Sequence, residues 1–265
     1  MIVVTGATGN VGGSLVRALA AAGVPTTATS RNVSAADVPE HVAHRRADLA
    51  DPAALRAVFD GADALFLQNG GPSAHLLNPH GILEAARAAG IGRVVLLSSQ
   101  GVATRPESQS HGATALAFEE AVRQSGLAWT ILRPGGFHSN AYAWAEPVRA
   151  HRTVAAPFAD VALRADGHHG RIHELTGPVA TTPRQRAEAL ADALGEPVRF
   201  VEQTPEEARA QLLAFMPEPV VETTLSILGA PTPAERRISP DVERVLGRAP
   251  RTFADWARRY VAAFK

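Results

Sequence analysis

The amino-acid sequence predicts an α/β fold, in which a doubly wound parallel sheet is followed by a small C-terminal α/β substrate-capping lobe. Short apolar runs alternate with amphipathic segments through the first half, a glycine-rich segment follows the first run, and the second half is less regular. Repeated strand-helix-strand units give a parallel sheet with helices on both faces. We expect residues 1–150 to form the sheet domain and residues 151–265 the lobe, with residues near 171–177 returning to the sheet.

The individual elements follow from the hydrophobic pattern. Predicted strands cover residues 1–5, 26–30, 64–67, 94–97 and 129–132, with a further strand before Asp48. Helices are predicted where apolar side chains recur at helical spacing, at residues 11–22, 52–59, 76–89 and 114–125. In the second half we expect helices at residues 184–194, 205–215, 220–228 and 253–264, and a short strand at residues 198–201.

Composition excludes several classes of function. The chain has 265 residues, with 26 Lys and Arg residues balanced by 26 Asp and Glu residues, so no charge excess favours nucleic acid or an anionic membrane. The absence of cysteine excludes disulfides, thiolate nucleophiles and cysteine zinc sites. No apolar run reaches the roughly 18 residues of a membrane helix. We therefore expect a cytoplasmic protein, a monomer or homodimer, that acts on a small molecule.

The glycine-rich segment has the spacing G-x-x-G-x-x-G between the first strand and the first helix. Gly6 permits a sharp turn, Gly9 lets the backbone approach a pyrophosphate, and Gly12 lets helix and strand pack closely. A tight turn without a ligand is the alternative. Because the segment opens a long amphipathic helix in a βαβ unit, it predicts a Rossmann dinucleotide site.

Residues at the ends of later strands indicate which dinucleotide binds. An NAD site expects a carboxylate after the second strand, but this chain has Arg31, which can pair with the 2′-phosphate of NADP. A solvated arginine is the alternative. Asp48 and Leu49 would lie near the adenine. Residues expected beside the ribose on the nicotinamide side are Gln68, Asn69 and Gly70.

Several segments together resemble the NmrA-like group of atypical short-chain dehydrogenase/reductases, particularly its NADPH-dependent quinone reductase-like branch. They are "TGATGNVG", "ILEAARAAGIGRVVLLSS", "GLAWTILRPGGFHSN", "DGHHGRIHELTGP" and "RTFADWARRYVAAF". The resemblance implies NADPH as cofactor and a pocket between the Rossmann domain and the C-terminal lobe. It implies cofactor contacts from Gly6, Thr8, Gly9, Asn10, Val11, Gly12, Arg31, Gln68 and Ser98.

The chain departs from the common catalytic pattern of that superfamily, a Tyr with a Lys four residues on that lowers its pKa. Its tyrosines are Tyr142 and Tyr260, neither of which is followed by such a lysine, and its lysine is the terminal Lys265. Where several members of the family place a Lys or His, this chain has Ala115, and His111 is a possible substitute. A Tyr-Lys acid is therefore excluded.

Other polar side chains are candidates for a catalytic role, each with a structural alternative. They are Ser99, which could instead cap a helix, His111, His138, which could be a loop histidine, and Tyr142, which could line the pocket. Residues expected to bind substrate are Phe137, Asn140, Trp144, Phe215 and Met216. No metal site is predicted, because the spacing of His168, His169 and His173 lacks a completing carboxylate.

Three functions fit these observations. The first is an NADPH-dependent oxidoreductase that transfers hydride to a quinone-like or conjugated small molecule, whose delocalised product anion can take its proton from water. The second is an NADP-binding regulatory or sensor protein. The third is a non-redox cyclase or isomerase on the same fold.

Overall fold

The computed structural model describes residues 1–68, 74–151, 168–214 and 216–265, with the side chain of His151 left out. Seven described strands form one sheet in the order β3-β2-β1-β4-β5-β6-β7. They are β1 (Ile2–Thr5), β2 (Thr26–Ser30), β3 (Ala43–Arg46), β4 (Ala64–Gln68), β5 (Arg93–Leu97), β6 (Ala128–Pro134) and β7 (Arg171–Leu175). Neighbours from β3 through β6 pair in parallel, which confirms the predicted doubly wound sheet.

Helices connect and follow these strands. They are α1 (Asn10–Ala21), α2 (Pro52–Phe59), α3 (Pro79–Ala88), α4 (Gly101–Thr104), α5 (Thr114–Gln124), α6 (Ala145–His151), α7 (Pro183–Leu194), α8 (Pro205–Leu213), α9 (Glu218–Gly229), α10 (Asp241–Leu246) and α11 (Phe253–Tyr260). A π-helical turn covers Gln109–Ala113, and 3-10 turns cover Ala35–Asp37, Ala74–Leu76, His138–Trp144 and Val261–Phe264. None of the helices in the described ranges is long and apolar enough to cross a membrane.

The helix ends follow local chemistry. Asp51 begins α2 by accepting from the backbone N–H groups of Ala53 and Ala54, and Pro52 occupies the first turn, where its missing N–H costs nothing. Helices α7, α8 and α11 begin with capping boxes at Thr182, Thr204 and Thr252. Such short-range signals explain why the boundaries of these helices lie close to the predicted ones.

The backbone divides the described chain into two compact units. The first contains residues 1–68, 74–133 and 168–173, and its core lies between the sheet and helices α2, α3 and α5. On α1, the buried side chains of Leu15, Val16 and Leu19 continue the apolar packing of the first unit. The second unit contains residues 134–151 and 174–265, apart from residue 215.

The core of the second unit is built around α11. Phe253 and Trp256 are buried with Leu190 of α7 and with Phe264. The predicted strand at residues 198–201 is wrong, since the structure has no strand there. The side chains of this segment pack instead of pairing in a sheet. Val198 packs against the core of this unit, and the Arg184 guanidinium carbon lies 4.6 Å from the centre of the Phe200 ring.

Candidate functional site

The loop between β1 and α1 is folded tightly on itself. Gly6 has φ +62°, and the Gly9 N–H donates to the Gly6 carbonyl at 2.9 Å. A Cβ on Gly12 would lie 2.2 Å from that same carbonyl oxygen, so only glycine fits. Gly9 caps α1 without a side chain, and Thr8, Gly9 and Asn10 are exposed. The first N–H groups of α1 are therefore not covered by a capping side chain, which suits a phosphate.

Gln68, at the end of β4, lies over this loop. Its amide carbon would be 3.1 Å from a Cβ on Gly6, and its backbone N–H donates to the Thr5 hydroxyl at 2.7 Å. The Oε1 atom of Gln68 is buried and has no hydrogen-bond partner within the described residues. A buried amide without a partner is costly, and a ribose hydroxyl would satisfy it. The loop of Gly6, Gly9 and Gly12, which we call the glycine cradle, and the buried Gln68 amide together fit a dinucleotide.

Arg31 lies just beyond this loop. The Thr8 hydroxyl is 3.2 Å from that of Ser30, which joins the loop to the end of β2 and to Arg31. Arg31 is exposed and forms no ion pair with any described carboxylate. Arg46, which sequence reasoning missed, is paired in register with Ser30, and its Nε donates to the Val33 carbonyl at 3.1 Å. Strand pairing alone brings it beside Arg31.

The other residues that were predicted to contact the adenine or the ribose lie in different environments. The Asp48 carboxylate accepts from the Ala50 N–H at 3.0 Å, and it therefore stabilises the turn before α2. Leu49 packs against the core of the first unit. Asn69 and Gly70 lie outside the described residues.

Ser98, at the end of β5, is held by a buried carboxylate that the sequence analysis did not single out. Its hydroxyl donates to Glu119 of α5 at 2.6 Å, and Glu119 is fully buried. Arg133 of β6 donates to both carboxylate oxygens at 2.7 and 2.6 Å, and Arg123 adds a bond of 2.6 Å. Thus Glu119 joins the ends of β5 and β6, two strands whose carboxyl ends border the site.

Burial raises the pKa of Glu119, but the hydrogen bonds from Arg133 and Ser98 and the charges of Arg133 and Arg123 outweigh it, so this pKa is lowered. The carboxylate is therefore ionised and committed to these partners. A signal was present in the sequence: an acidic residue between Phe118 and Ala121 on the apolar face of a helix needs a buried cation.

The segments that carry Ser99 and His111 meet in the first unit, at Gly101. The Ser99 hydroxyl accepts from the Gly101 N–H at 3.0 Å, so it caps the start of α4. A Cβ on Gly101 would lie 2.3 Å from the His111 carbonyl oxygen, which places the two segments in direct contact. The His111 Nδ1 is 2.7 Å from the Ser110 hydroxyl.

The remaining catalytic candidates lie in the second unit. His138 packs edge-on against Phe253, with ring centres 5.5 Å apart, and its Nδ1 is buried with no partner among the described residues. Burial lowers the pKa of His138 to about 4, and the charge of Arg186 acts in the same direction, against a hydrogen bond with the Arg251 backbone. The imidazole is therefore neutral near pH 7 and cannot serve there as a proton donor in its cationic form.

Tyr142 stacks on Phe264 at 6.2 Å between ring centres and also contacts Trp256 and Tyr260. Both tyrosines of the chain thus lie in one aromatic cluster.

The predicted substrate residues of the second unit have different environments. Asn140 is exposed, and its N–H donates to the Phe137 carbonyl at 3.1 Å. Trp144 packs against the α11 core, and Met216 is half-buried. Phe215 lies outside the described residues.

The histidines near β7 pair with each other. His168 Nδ1 and His173 Nε2 are 3.1 Å apart, and His169 Nδ1 accepts from the Trp129 N–H at 3.1 Å. In the part of the chain that the structure describes, no three such side chains converge on a metal position.

Comparison with known proteins places this geometry in a family. Residues 6–162 match the family described as NAD(P)H-binding. The chain is 34% identical to a (4-alkanoyl-5-oxo-2,5-dihydrofuran-3-yl)methyl phosphate reductase of Streptomyces griseus, covering 100% of this chain and 99% of that protein. It is 30% identical to an NAD(P)H azoreductase of Xenophilus azovorans, over 100% of this chain and 99% of the relative.

A solved structure agrees over the same length. An NADPH-dependent quinone oxidoreductase from Escherichia coli superposes with a TM-score of 0.76 at 26% identity, covering 98% of this chain and 99% of that one. The resemblance identified from the sequence motifs is therefore confirmed, as is the expectation of a nicotinamide dinucleotide cofactor. The chain belongs to the NAD(P)H-binding family and is an oxidoreductase of its quinone reductase-like branch.

Proposed function

We propose that this protein is an NADPH-dependent reductase that delivers hydride to an electron-poor, conjugated small molecule. The observation that carries the proposal is the uncapped glycine cradle of Gly6, Gly9 and Gly12, with Arg31 exposed at the end of the neighbouring strand. The cradle suits the pyrophosphate, and the unpaired guanidinium suits the 2′-phosphate that distinguishes NADPH from NADH.

The bound cofactor supplies a hydride, and this chain's residues bind and orient the two reactants. Gly9 and the start of α1 would hold the pyrophosphate, Gln68 a ribose hydroxyl, and Glu119 would fix Ser98 at the edge of the sheet. Orientation of this kind contributes several kcal/mol to lowering a barrier.

The class of acceptor follows from the lack, among the described residues of the site, of a side chain that can donate a proton at neutral pH. The Tyr-Lys pair is absent from the sequence, and His138 is neutral near pH 7. Hydride addition to a conjugated acceptor leaves a delocalised anion, which can take a proton from water. The relatives named above reduce an unsaturated lactone phosphate, azo compounds and quinones, which are all conjugated electrophiles.

The experiment mixes the protein with NADPH and a panel of quinones, azo dyes and unsaturated lactones, and follows the loss of reduced-nicotinamide absorbance. We expect oxidation that depends on the acceptor and is slower with NADH at subsaturating concentration. Clear NADPH binding without turnover of any acceptor would contradict the reductase and favour the regulatory alternative.

The role of Arg31 is tested by Arg31→Glu, which places a carboxylate against the 2′-phosphate. We expect the ratio of NADPH to NADH affinity to fall about 10- to 100-fold, because a charge-assisted bond is replaced by repulsion. Arg17→Glu, an exposed change on α1, is the control and should leave the ratio unchanged. An unchanged ratio in Arg31→Glu would mean that Arg31 is only a solvated side chain.

A further inference from the structure

Arg186, in the second turn of α7, is a largely buried cation with little to neutralise it. Its Nε donates to the Thr181 hydroxyl at 2.8 Å, and its guanidinium carbon lies 5.9 Å from the centre of the Phe253 ring. Within the described ranges, no carboxylate pairs with it, and its two terminal nitrogens have no acceptor. Thr181 thus holds one edge of the guanidinium and leaves the other open.

Two other arginines are satisfied differently. Arg184, two residues earlier on α7, pairs with Glu202 at 3.2 Å and is exposed. Arg133 of the first unit, which is also largely buried, binds both oxygens of Glu119. A buried charge without a partner is expensive, and proteins normally pair it or use it.

The dipole of α7 also favours an anion beside Arg186. The first turn of α7 has no acidic residue, so the positive end of its dipole is uncompensated by the helix itself. Burial lowers the pKa of Arg186. A carboxylate in close contact would act in the opposite direction, so the desolvation of Arg186 is not offset by a partner.

A second buried polar atom, Nδ1 of His138, lies beside the same ring. The imidazole of His138 meets Phe253 edge-on at 5.5 Å and an interplanar angle of 88°, and its buried Nδ1 lacks a partner among the described residues. The positive charge of Arg186 lies close enough to disfavour protonation of His138. An anion at Arg186 would offset that effect and favour protonation of His138.

We propose that Arg186, oriented by Thr181 and assisted by His138, binds an oxyanion of a small molecule, either a phosphate monoester or a carboxylate. The planar guanidinium offers parallel N–H groups that match two oxygens of such a group. The anion site is defined by residues of the second unit alone.

The site is tested without turnover by titrating inorganic phosphate into the protein saturated with NADP⁺, so that the cofactor's own phosphate positions are filled. Calorimetry gives the affinity, and NMR of the histidine ring protons gives the titration of His138. We expect phosphate binding and a rise in the pKa of His138 when phosphate is present. Methylphosphonate and acetate in parallel titrations distinguish a preference for phosphate from one for carboxylate.

Arg186→Met removes the charge and keeps the length of the side chain, and Arg184→Met, two residues earlier on α7, is the matched control. Phosphate affinity should fall about 10- to 100-fold in Arg186→Met, the loss of a charge-assisted hydrogen-bond pair. It should stay unchanged in Arg184→Met. Equal phosphate affinity in wild type and Arg186→Met, or no response of His138 to phosphate, would overturn the proposal.

Folding does not confound this test, because replacing an unpaired buried charge by an apolar side chain is often neutral or stabilising. Thr181→Val is a second variant that leaves the charge in place and frees the guanidinium edge, so it should weaken phosphate binding by less than Arg186→Met does. If Thr181→Val and Arg186→Met both leave phosphate affinity at the wild-type value, Arg186 has a packing role only.

Discussion

Glu119 in the first unit and Arg186 in the second are both enclosed charges, but their surroundings differ. Glu119 is fully buried and receives hydrogen bonds from Arg133, Arg123 and Ser98. Among the described residues, Arg186 has the hydroxyl of Thr181 and the face of Phe253. The first arrangement is complete without a ligand, whereas the second has no carboxylate among the described residues. A buried charge that has all its partners stabilises the fold. A buried charge without a partner of opposite sign indicates a position where a ligand of that sign could bind.

Among the substitutions considered, we expect Glu119→Gln to change stability the most. Removing one partner of a buried ion pair leaves Arg133 uncompensated, and we expect a loss of about 3 to 5 kcal/mol in the free energy of unfolding. Urea denaturation measures it, with the exposed neighbour Glu120→Gln as control. A loss below that of a surface substitution would show that the network contributes nothing to the scaffold, and it would remove the contrast with Arg186.

Gly12→Ala tests whether the cofactor cradle depends on backbone contact. The new Cβ would lie 2.2 Å from the Gly6 carbonyl oxygen, so the loop must shift. Overpacking costs about 1 to 3 kcal/mol, which corresponds to a loss of about 5- to 150-fold in NADPH affinity if the strain is relieved by opening the cradle. Calorimetric titration with NADPH measures the change.

Gly229→Ala, where nothing lies within 4 Å of the added Cβ, is the matched control and should bind NADPH like wild type. A wild-type affinity in Gly12→Ala as well would mean that the loop adapts and that the cradle is not what holds the pyrophosphate.

The neutral His138 makes the second unit sensitive to mild acid. The ordinary pKa of a histidine is 6.5, and burial lowers the pKa of His138 to about 4 in the folded protein, so the unfolded chain takes up the proton first as pH falls. Stability from this group is present above pH 6.5 and is lost progressively towards pH 4. Between pH 7 and pH 5 the expected loss is about 2 kcal/mol.

The measurement is urea denaturation at both pH values, with His138→Phe as the variant. This variant should lose about 2 kcal/mol less than wild type over that interval, whereas His80→Phe on the surface of α3 should follow wild type. Identical pH dependence in wild type and His138→Phe would show that His138 titrates normally. Glu119, whose pKa is lowered, adds a loss only under more acidic conditions.

Ser99→Ala is the mildest change. Loss of the cap on Gly101 should cost about 1 kcal/mol of stability and leave kcat unchanged, with Ser34→Ala, another capping serine, as control. A tenfold lower kcat in Ser99→Ala, restored by Ser99→Thr, would instead assign the hydroxyl to substrate.

Much of the first unit could be predicted because its signals are local. The run Ile2–Thr5, the glycines at 6, 9 and 12 and the apolar face of α1 lie within 20 residues of one another, and their spacing alone specifies strand, turn and helix. The position of Arg31 followed from the end of β2. Arg46 could not be found in this way, because it reaches Ser30 through strand pairing over 16 residues.

The second unit was harder to interpret. The segment at residues 198–201 has the composition of a strand. A strand also needs a neighbour with free backbone groups, and this segment instead packs through the side chains of Val198 and Phe200. Tyr142 was a candidate for chemistry by residue type, whereas its ring contacts with Trp256, Tyr260 and Phe264 depend on the fold of a helix more than 100 residues later.

The sequence by itself determined the parallel α/β scaffold, the glycine-rich loop and the absence of a Tyr-Lys acid, because these depend on short-range spacing and on which residue types are present. Tertiary structure decided which buried groups are satisfied. Glu119 meets Arg133 and His138 meets Phe253 across 14 and 115 residues of chain, and whether a buried charge finds a partner is a property of packing that no local pattern encodes.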